Sequence, residues 1–295
     1  MIWVVGNRGM LGRTLEAELR RTGLSYCASD LEVDVTDRAQ IERYVADKEI
    51  YWIVNCAAYT AVDRAESEPA MAFAINEKGA ENVAMIARSR RARLIHLSTD
   101  YVFNGRRKKP YTEKDRPNPT NVYGRSKLAG EMRVRGTWEN HIILRTAWLY
   151  DRYGSNFVLT MLRLFEEKRV IRVVNDQWGS PTYGADLADT IVEIISRDDV
   201  PFGTYHFTNE GTTTWFSFAK EIYNRALSHR LCRLHDRAFI PITTEEYPTD
   251  ARRPRYSTLS KTKIKKTLHR DIRTWELALD SCLTGIRKER LKIDA

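Results

Sequence analysis

Cysteine and histidine are scarce in this chain, with 4 and 6 copies in 295 residues. Cys27, Cys56, Cys232 and Cys282 show no Cys-x-x-Cys spacing and have no histidine pair nearby. That pattern excludes a structural zinc site and a disulfide framework, and no metal is expected. Cys27 and Cys56 sit in apolar, strand-like runs and are expected as reduced core residues. No apolar run approaches the roughly 20 residues of a membrane-spanning helix. The sequence enters a strand pattern at once, without a cleavable leader, so a cytoplasmic protein with no membrane partner is expected. Repeats and low-complexity stretches are missing as well. Carboxylates are outnumbered, 39 Asp+Glu against 48 Lys+Arg, which leaves a net charge of +9 and a pI near 9.4. The basic clusters at 88–93, 106–109 and 261–266 are short and carry no aromatic-basic repeat or recognition helix. Nucleic acid is therefore not the expected partner, whereas a phosphorylated small molecule suits a positive field.

What is present is an alternation of short apolar runs and amphipathic segments. Strands are expected at 2–5, 26–28, 52–55, 94–97 and 142–144. Between them lie helices through Leu11, Leu15 and Leu19, from a cap at Thr36 or Asp37 toward Lys48, over 70–88, and over 123–135. Strands apolar on both faces indicate a parallel sheet covered on each side, hence an α/β, Rossmann-type doubly wound fold. After Trp148 the texture changes to longer polar and aromatic loops, at 175–182 and 248–256, with helices at 157–167, 185–195 and 216–227. The expected division is a dinucleotide-binding region over 1–148, to which some later segments return, and a smaller, partly discontinuous substrate region over 149–295.

Gly6-Asn7-Arg8-Gly9-Met10-Leu11-Gly12 follows the first strand and opens the first helix. In that context the glycines serve a tight turn, backbone approach to a pyrophosphate, and close helix-strand contact. Asp30, after the second strand, is placed to accept from an adenosine ribose hydroxyl, which favours NADH; Arg8 in the loop is placed to pair with the extra phosphate of NADPH. The two cues oppose one another, so either cofactor is admitted. Asp34 and Val35 are expected to flank the adenine, and Ala57, Ala58 and Tyr59 to line the pyrophosphate and ribose. Further on, Tyr123 and Lys127 lie one helical turn apart, so that the ammonium can sit beside the phenol. A free phenol has a pKa of about 10, and a nearby cation lowers it. This suits proton donation to an oxygen gaining charge during ketone reduction. Alone, the pair is equally compatible with an ordinary surface helix.

Taken in order, the glycine loop, Asn55-Cys56-Ala57-Ala58, Ser98-Thr99-Asp100-Tyr101 and Tyr123-x-x-x-Lys127 resemble the extended short-chain dehydrogenase/reductases. The stretches NCAAYTAVDRAE (55–66), TDYVFNG (99–105), YGRSKLAGE (123–131), RTAWLY (145–150) and DQWGSPT (176–182), with Asn156-Phe157 and Arg253-Pro254, make the chain more narrowly similar to the dTDP-4-dehydrorhamnose reductase family. The resemblance implies a nucleotide-sugar substrate and NADPH or NADH. It assigns Thr99 to the substrate ketone, Tyr123 to the general acid, and Lys127 to the nicotinamide ribose and the tyrosinate. It implies Trp148 in the sugar pocket, with Asp100 and Asn156 as further pocket candidates and Arg252 or Arg253 at the diphosphate. The related dehydratases carry an acid after Thr-Asp; here Tyr101 stands there, which leaves simple reduction. Some family members share Mg²⁺ across a dimer through an acidic residue after the glycine loop, where this chain has Arg13-Thr14. Magnesium is therefore doubtful, and a monomer or homodimer is expected. Two rival readings are a reductase of another nucleotide-linked 4-keto sugar and a non-catalytic NADP-binding regulatory subunit resembling that of methionine adenosyltransferase.

Overall fold

The structure is a computed structural model and describes residues 1–233 and 237–293; residues 234–236 and 294–295 of the expected 149–295 region lie outside the described residues. Strand β1 (Ile2–Val5) is buried at all four positions, so each of its faces must be covered. Ile2 and Val4 enter one apolar cluster with Leu11, Leu15 and Leu19 of helix α1 (Met10–Arg21) and with helix Gly184–Ile195. Trp3 and Val5 enter the other, with Ile41 and Val45 of α2 (Arg38–Val45) and with Val83, Ala84 and Ala87. The period-2 alternation of a strand thus separates two helical layers. β1 pairs in parallel with β2 (Tyr26–Ser29) on one side and β3 (Trp52–Asn55) on the other. The sheet continues in parallel through β4 (Arg93–Thr99) and β5 (His141–Thr146) to strand Gly203–His206. The order is therefore 2-1-3-4-5 followed by the returning strand. The crossover direction reverses between β1 and β3, which opens a crevice at their carboxyl ends.

A third apolar cluster lies outside the sheet, built by helices Phe157–Glu167, Trp215–Ser228 and Trp275–Ile293 with Tyr150, Tyr183 and Ile171. Among the described residues no helix is long and apolar enough to cross a membrane.

Three local readings change. Asp37 caps α2, accepting from the N–H groups of Ala39 and Gln40, and the helix stops at Val45. The single helix expected at 70–88 is interrupted: Pro69–Phe73 passes into a π-helical turn, Ala74–Gly79, before Ala80–Arg90. Asn76 sits in that turn, buried, with its side chain hydrogen-bonded away from its own helix; such turns redirect a side chain that regular helical spacing would misplace. Cys27 and Cys56 are half-buried at the edges of their clusters, not in the core.

Candidate active site

The glycine loop leaves β1 at Gly6, whose φ of +80° is left-handed; a Cβ there would fall 2.7 Å from the Ala57 nitrogen. At Gly12 a Cβ would fall 2.3 Å from the Gly6 carbonyl oxygen. Both glycines are demanded by the chain's own packing. Gly9, the N-cap of α1, is different: a Cβ there would meet only the Gly6 oxygen, at 3.3 Å. The space above Gly9 is left clear, and the first turn of α1 holds no acidic residue to oppose its N-terminal field. These residues fit a dinucleotide pyrophosphate. Leu11 offers only its main chain, because its side chain is in the core. Met10 touches Asn156.

The Asp30 carboxylate accepts from the N–H of Arg8 at 2.9 Å and of Leu31 at 3.0 Å, tying the loop to the end of β2. The exposed Arg8 guanidinium pairs with Glu32 at 3.2 Å, a residue the sequence reading missed. Arg13 donates to the Arg8 carbonyl, and Thr14 to Asp151. Arg13 and Thr14 therefore brace the loop and its neighbour. Among the described residues no group of three or more His, Cys, Asp or Glu is arranged to hold a metal ion. Asp34 accepts from Thr36 and Val35 is buried beside Gly79, while Ala57 and Ala58 stay half-buried after β3. The Tyr59 phenol is turned to Glu68. The Tyr59 main chain is bolted to Asn76, which also donates to Ser126, one turn from Tyr123. Asn76 was missed, because it stands among other polar residues of an amphipathic segment, beside Glu77 and Lys78.

Helix Val122–Thr137 is capped by Asn121, which accepts from Gly124 and donates to the Arg252 carbonyl. The cap carries Tyr123 to the carboxyl end of β4. There the Thr99 hydroxyl lies near enough to influence its titration, while donating to Asp100 at 3.1 Å and accepting from the Tyr101 N–H. Burial pushes the Tyr123 phenol up to about 12, with Thr99 pulling it down and Asp100 pushing it up. Asp100 is itself raised to about 7 by burial. The expected ammonium–phenol contact is not what Lys127 makes: its ammonium donates to the Leu97 carbonyl at 2.7 Å. Burial lowers it to about 8, against the opposing pull of Glu131 and Cys56. The phenol is thus kept protonated by burial, and two of the three ammonium donors are not engaged by that bond.

Under Lys127 lies a buried ion pair. Glu131, 0% exposed, accepts from Arg145 through both oxygens, at 2.7 and 2.6 Å, and from Ser98 and Arg135. Because Ser98 and Arg145 are register partners on β4 and β5, the pair locks the strand end that presents Thr99.

Trp148 takes a left-handed φ of +47°. Its indole stacks on Trp215 at 3.5 Å between centroids and 8° between planes, and a Cβ on Gly179 would fall 2.4 Å from it. One face is therefore occupied by Trp215, a partner the sequence did not announce. Asn156 departs from its expected pocket role: it caps helix Phe157–Glu167 and donates to the carbonyls of Asp151 and Tyr153. Arg253 is clamped by Asp63 at 2.9 and 2.7 Å, whereas Arg252 stays exposed. Both line a cleft of about 790 Å³ whose walls also hold Trp178 and Tyr256.

The RmlD substrate binding domain model matches residues 1–288. A dTDP-4-dehydrorhamnose reductase of Sinorhizobium fredii is 39% identical over 281 residues, covering 92% of this chain and 93% of the relative. A dTDP-4-keto-6-deoxy-D-glucose reductase of Streptomyces niveus is 38% identical, covering 94% of each. The crystal structure of dTDP-4-dehydrorhamnose reductase from Bacillus anthracis in complex with NADP superposes with a TM-score of 0.91 at 38% identity, over 96% of this chain and 98% of that one. With this fold, this loop and this Thr-Tyr-Lys grouping, the chain belongs to the dTDP-4-dehydrorhamnose reductase (RmlD) family.

Proposed function

We propose that this chain reduces the 4-keto group of dTDP-4-dehydro-L-rhamnose to the alcohol of dTDP-L-rhamnose with NADPH or NADH, acting as a monomer or homodimer. The observation that carries the reading is the placement of Thr99 at the end of β4 beside the capped helix that holds Tyr123 and Lys127, whose ammonium is tied to the Leu97 carbonyl of the same strand. The bound dinucleotide supplies a hydride to the ketone carbon. Thr99 orients the ketone oxygen, and Tyr123 gives that oxygen its proton. Lys127 offers its remaining donors to the ribose and offsets the tyrosinate charge. The glycine loop with Arg8 and Asp30 holds the dinucleotide. Trp148, stiffened by Trp215, borders the sugar, and Asp100 fixes Thr99. Asn156 is assigned to scaffolding, and Arg253 acts through its clamp to Asp63. Residues 1–148 with the returning strand and helix form the dinucleotide half; the later helices form the substrate half. Tyr101 supplies no second carboxylate for elimination chemistry.

Replacing Tyr123→Phe is expected to lower kcat by about 10²-fold or more while leaving NADPH binding intact; near-normal turnover would remove Tyr123 as the acid. The similarity to the Streptomyces niveus reductase supports a second reading, another dTDP-linked 4-keto sugar. Rates on a panel of such sugars decide between them.

A further inference from the structure

Asp30 suits a free ribose hydroxyl and Arg8 suits an added phosphate, and a third residue, Glu32, stands between these two opposed cues. Asp30, Leu31 and Glu32 form a tight turn after β2, closed by the Val33 N–H on the Asp30 carbonyl at 2.9 Å. The glycine loop is fastened to the base of that turn. The N–H groups of Gly6 and Asn7 donate to the Ser29 carbonyl, at 2.8 and 3.2 Å, and the Arg8 N–H donates to the Asp30 carboxylate at 2.9 Å. Loop and turn are therefore held in a fixed relation where the adenosine ribose of a dinucleotide arrives.

Within that frame the charges favour one dinucleotide. Both Asp30 oxygens accept from main-chain N–H groups, those of Arg8 and Leu31, which aims the carboxylate and leaves lone pairs for a hydroxyl donor. Glu32 accepts from the Asp30 N–H through Oε1 at 2.7 Å and meets the Arg8 guanidinium through Oε2 at 3.2 Å. The same Asp30 N–H holds the Glu32 carboxyl below its usual range, so it is charged at neutral pH. Arg13, the neighbouring cation on α1, turns its Nε to the Arg8 carbonyl. Two carboxylates thus flank the loop's own guanidinium. A ribose 2′-hydroxyl enters this arrangement as a donor and disturbs nothing. A 2′-phosphate brings further negative charge against both carboxylates and must first draw Arg8 away from Glu32. The Arg8 side chain is 63% exposed, and a pair of this kind is weak by itself, so the result is a graded preference and not an exclusion.

We propose that Glu32 selects the dinucleotide: by engaging Arg8 and adding its charge to that of Asp30, it makes this chain favour NADH over NADPH. The proposal rests on the reductase reading of the Thr99–Tyr123 site and goes beyond it in naming the residue that sets the choice.

The test is Glu32→Gln, alone and together with Arg8→Gln. Glutamine keeps an acceptor for the Asp30 N–H and position 32 is exposed, so the turn is preserved. Turnover of dTDP-4-dehydro-L-rhamnose is measured with NADH and with NADPH, and binding of 5′-AMP and of 2′,5′-ADP by calorimetry. The unaltered chain is expected to favour NADH by about tenfold in kcat/KM, and Glu32→Gln to raise the NADPH value about tenfold with the NADH value within twofold. Affinity for 2′,5′-ADP should rise in parallel and affinity for 5′-AMP should not. With Arg8→Gln already in place, the guanidinium to be released is gone, and the same substitution should gain no more than about threefold. A preference for NADPH in the unaltered chain would overturn the proposal, as would a ratio unmoved by Glu32→Gln or an equal gain with and without Arg8. If no keto sugar is turned over with either dinucleotide, yet Glu32→Gln still tightens 2′,5′-ADP over 5′-AMP, the role of Glu32 stands and the reductase reading falls.

Discussion

Glu131→Gln changes one oxygen to NH₂ and removes one charge, in the least forgiving place in the molecule. The carboxylate is 0% exposed and its principal partner, Arg145, is 1% exposed. Arg145 donates Nε to one oxygen at 2.7 Å and Nη2 to the other at 2.6 Å; Ser98 and Arg135 add donors at 2.6 and 2.8 Å. Whichever way the new amide is turned, its NH₂ faces at least two donors. The nearest remaining neighbours of Arg145 are a neutral His206, 3.4 Å from its Nη1, and the Phe103 ring beneath its Cζ, and the Glu113 carboxylate senses its charge without pairing with it. Breaking a buried pair from one side costs about 3–5 kcal/mol. At roughly 2 °C per kcal/mol for a chain of this size, a melting temperature lower by about 6–10 °C is expected. Urea denaturation and thermal melting read the loss directly. Glu131→Leu/Arg145→Met, which removes both charges, should lose less than Glu131→Gln, because the charge left uncompensated would be gone. A Glu131→Gln loss below about 1 kcal/mol, or a double variant no better than the single, would refute the placement of this pair as a buried, mutually dependent lock.

Further outcomes follow from the site. With Lys127 lowered to about 8, kcat/KM should fall as pH rises through about 8, where the ammonium deprotonates; a limb first appearing near 10 would contradict this. The same shift sets a stability trend: the unfolded chain holds that proton up to about pH 10.4, so raising pH from 8 toward 10 relieves a penalty and this residue's contribution to stability increases. Gly12→Ala, driven into the Gly6 carbonyl, should destabilise by about 1–3 kcal/mol. Gly9→Ala should stay within about 1 kcal/mol in melting experiments yet weaken dinucleotide binding measured by NADPH fluorescence; intact affinity would show that the space above Gly9 is not a cradle. Trp215→Ala should raise KM for the sugar nucleotide and leave KM for NADPH alone, since it frees the Trp148 indole.

The sheet was legible because each strand is short, apolar on both faces and bounded by turn residues, so Ile2–Val5 and Trp52–Asn55 stand where periodicity puts them. The placement of the glycine loop before α1 and of Tyr123 in the first turn of its helix was legible because the residues that fix both are local in sequence. What escaped depends on contacts across long separations. Asn76 reaches Tyr59 and Ser126 only because a π-helical turn rotates it, and 3.6-residue spacing carries no trace of that turn. Asp63 and Arg253 lie 190 residues apart, so neither announces the clamp. Trp215 meets Trp148 through a left-handed residue that local preference disfavours. The Lys127 contact was hidden for a related reason. Its i,i+4 spacing from Tyr123 is real, but a carbonyl on the adjoining strand is nearer to hand than the phenol.

Strand Gly203–His206, the last in the sheet, is contributed by a segment that has already passed through the Phe157–Glu167 helix, and helix Gly184–Ile195 covers Ile2, Val4 and Leu15 on its way there. No single cut can then release the sheet with both its helical layers as a free-standing piece. A fragment ending at 148 would leave β5 as a bare edge and remove half the cover from one face of the sheet, leaving α1 alone there, a state prone to pairing with its own kind. Specificity in such a chain cannot be transplanted as a cassette at its C-terminus. New substrates must be reached by altering loops in place, with the interleaved framework left whole.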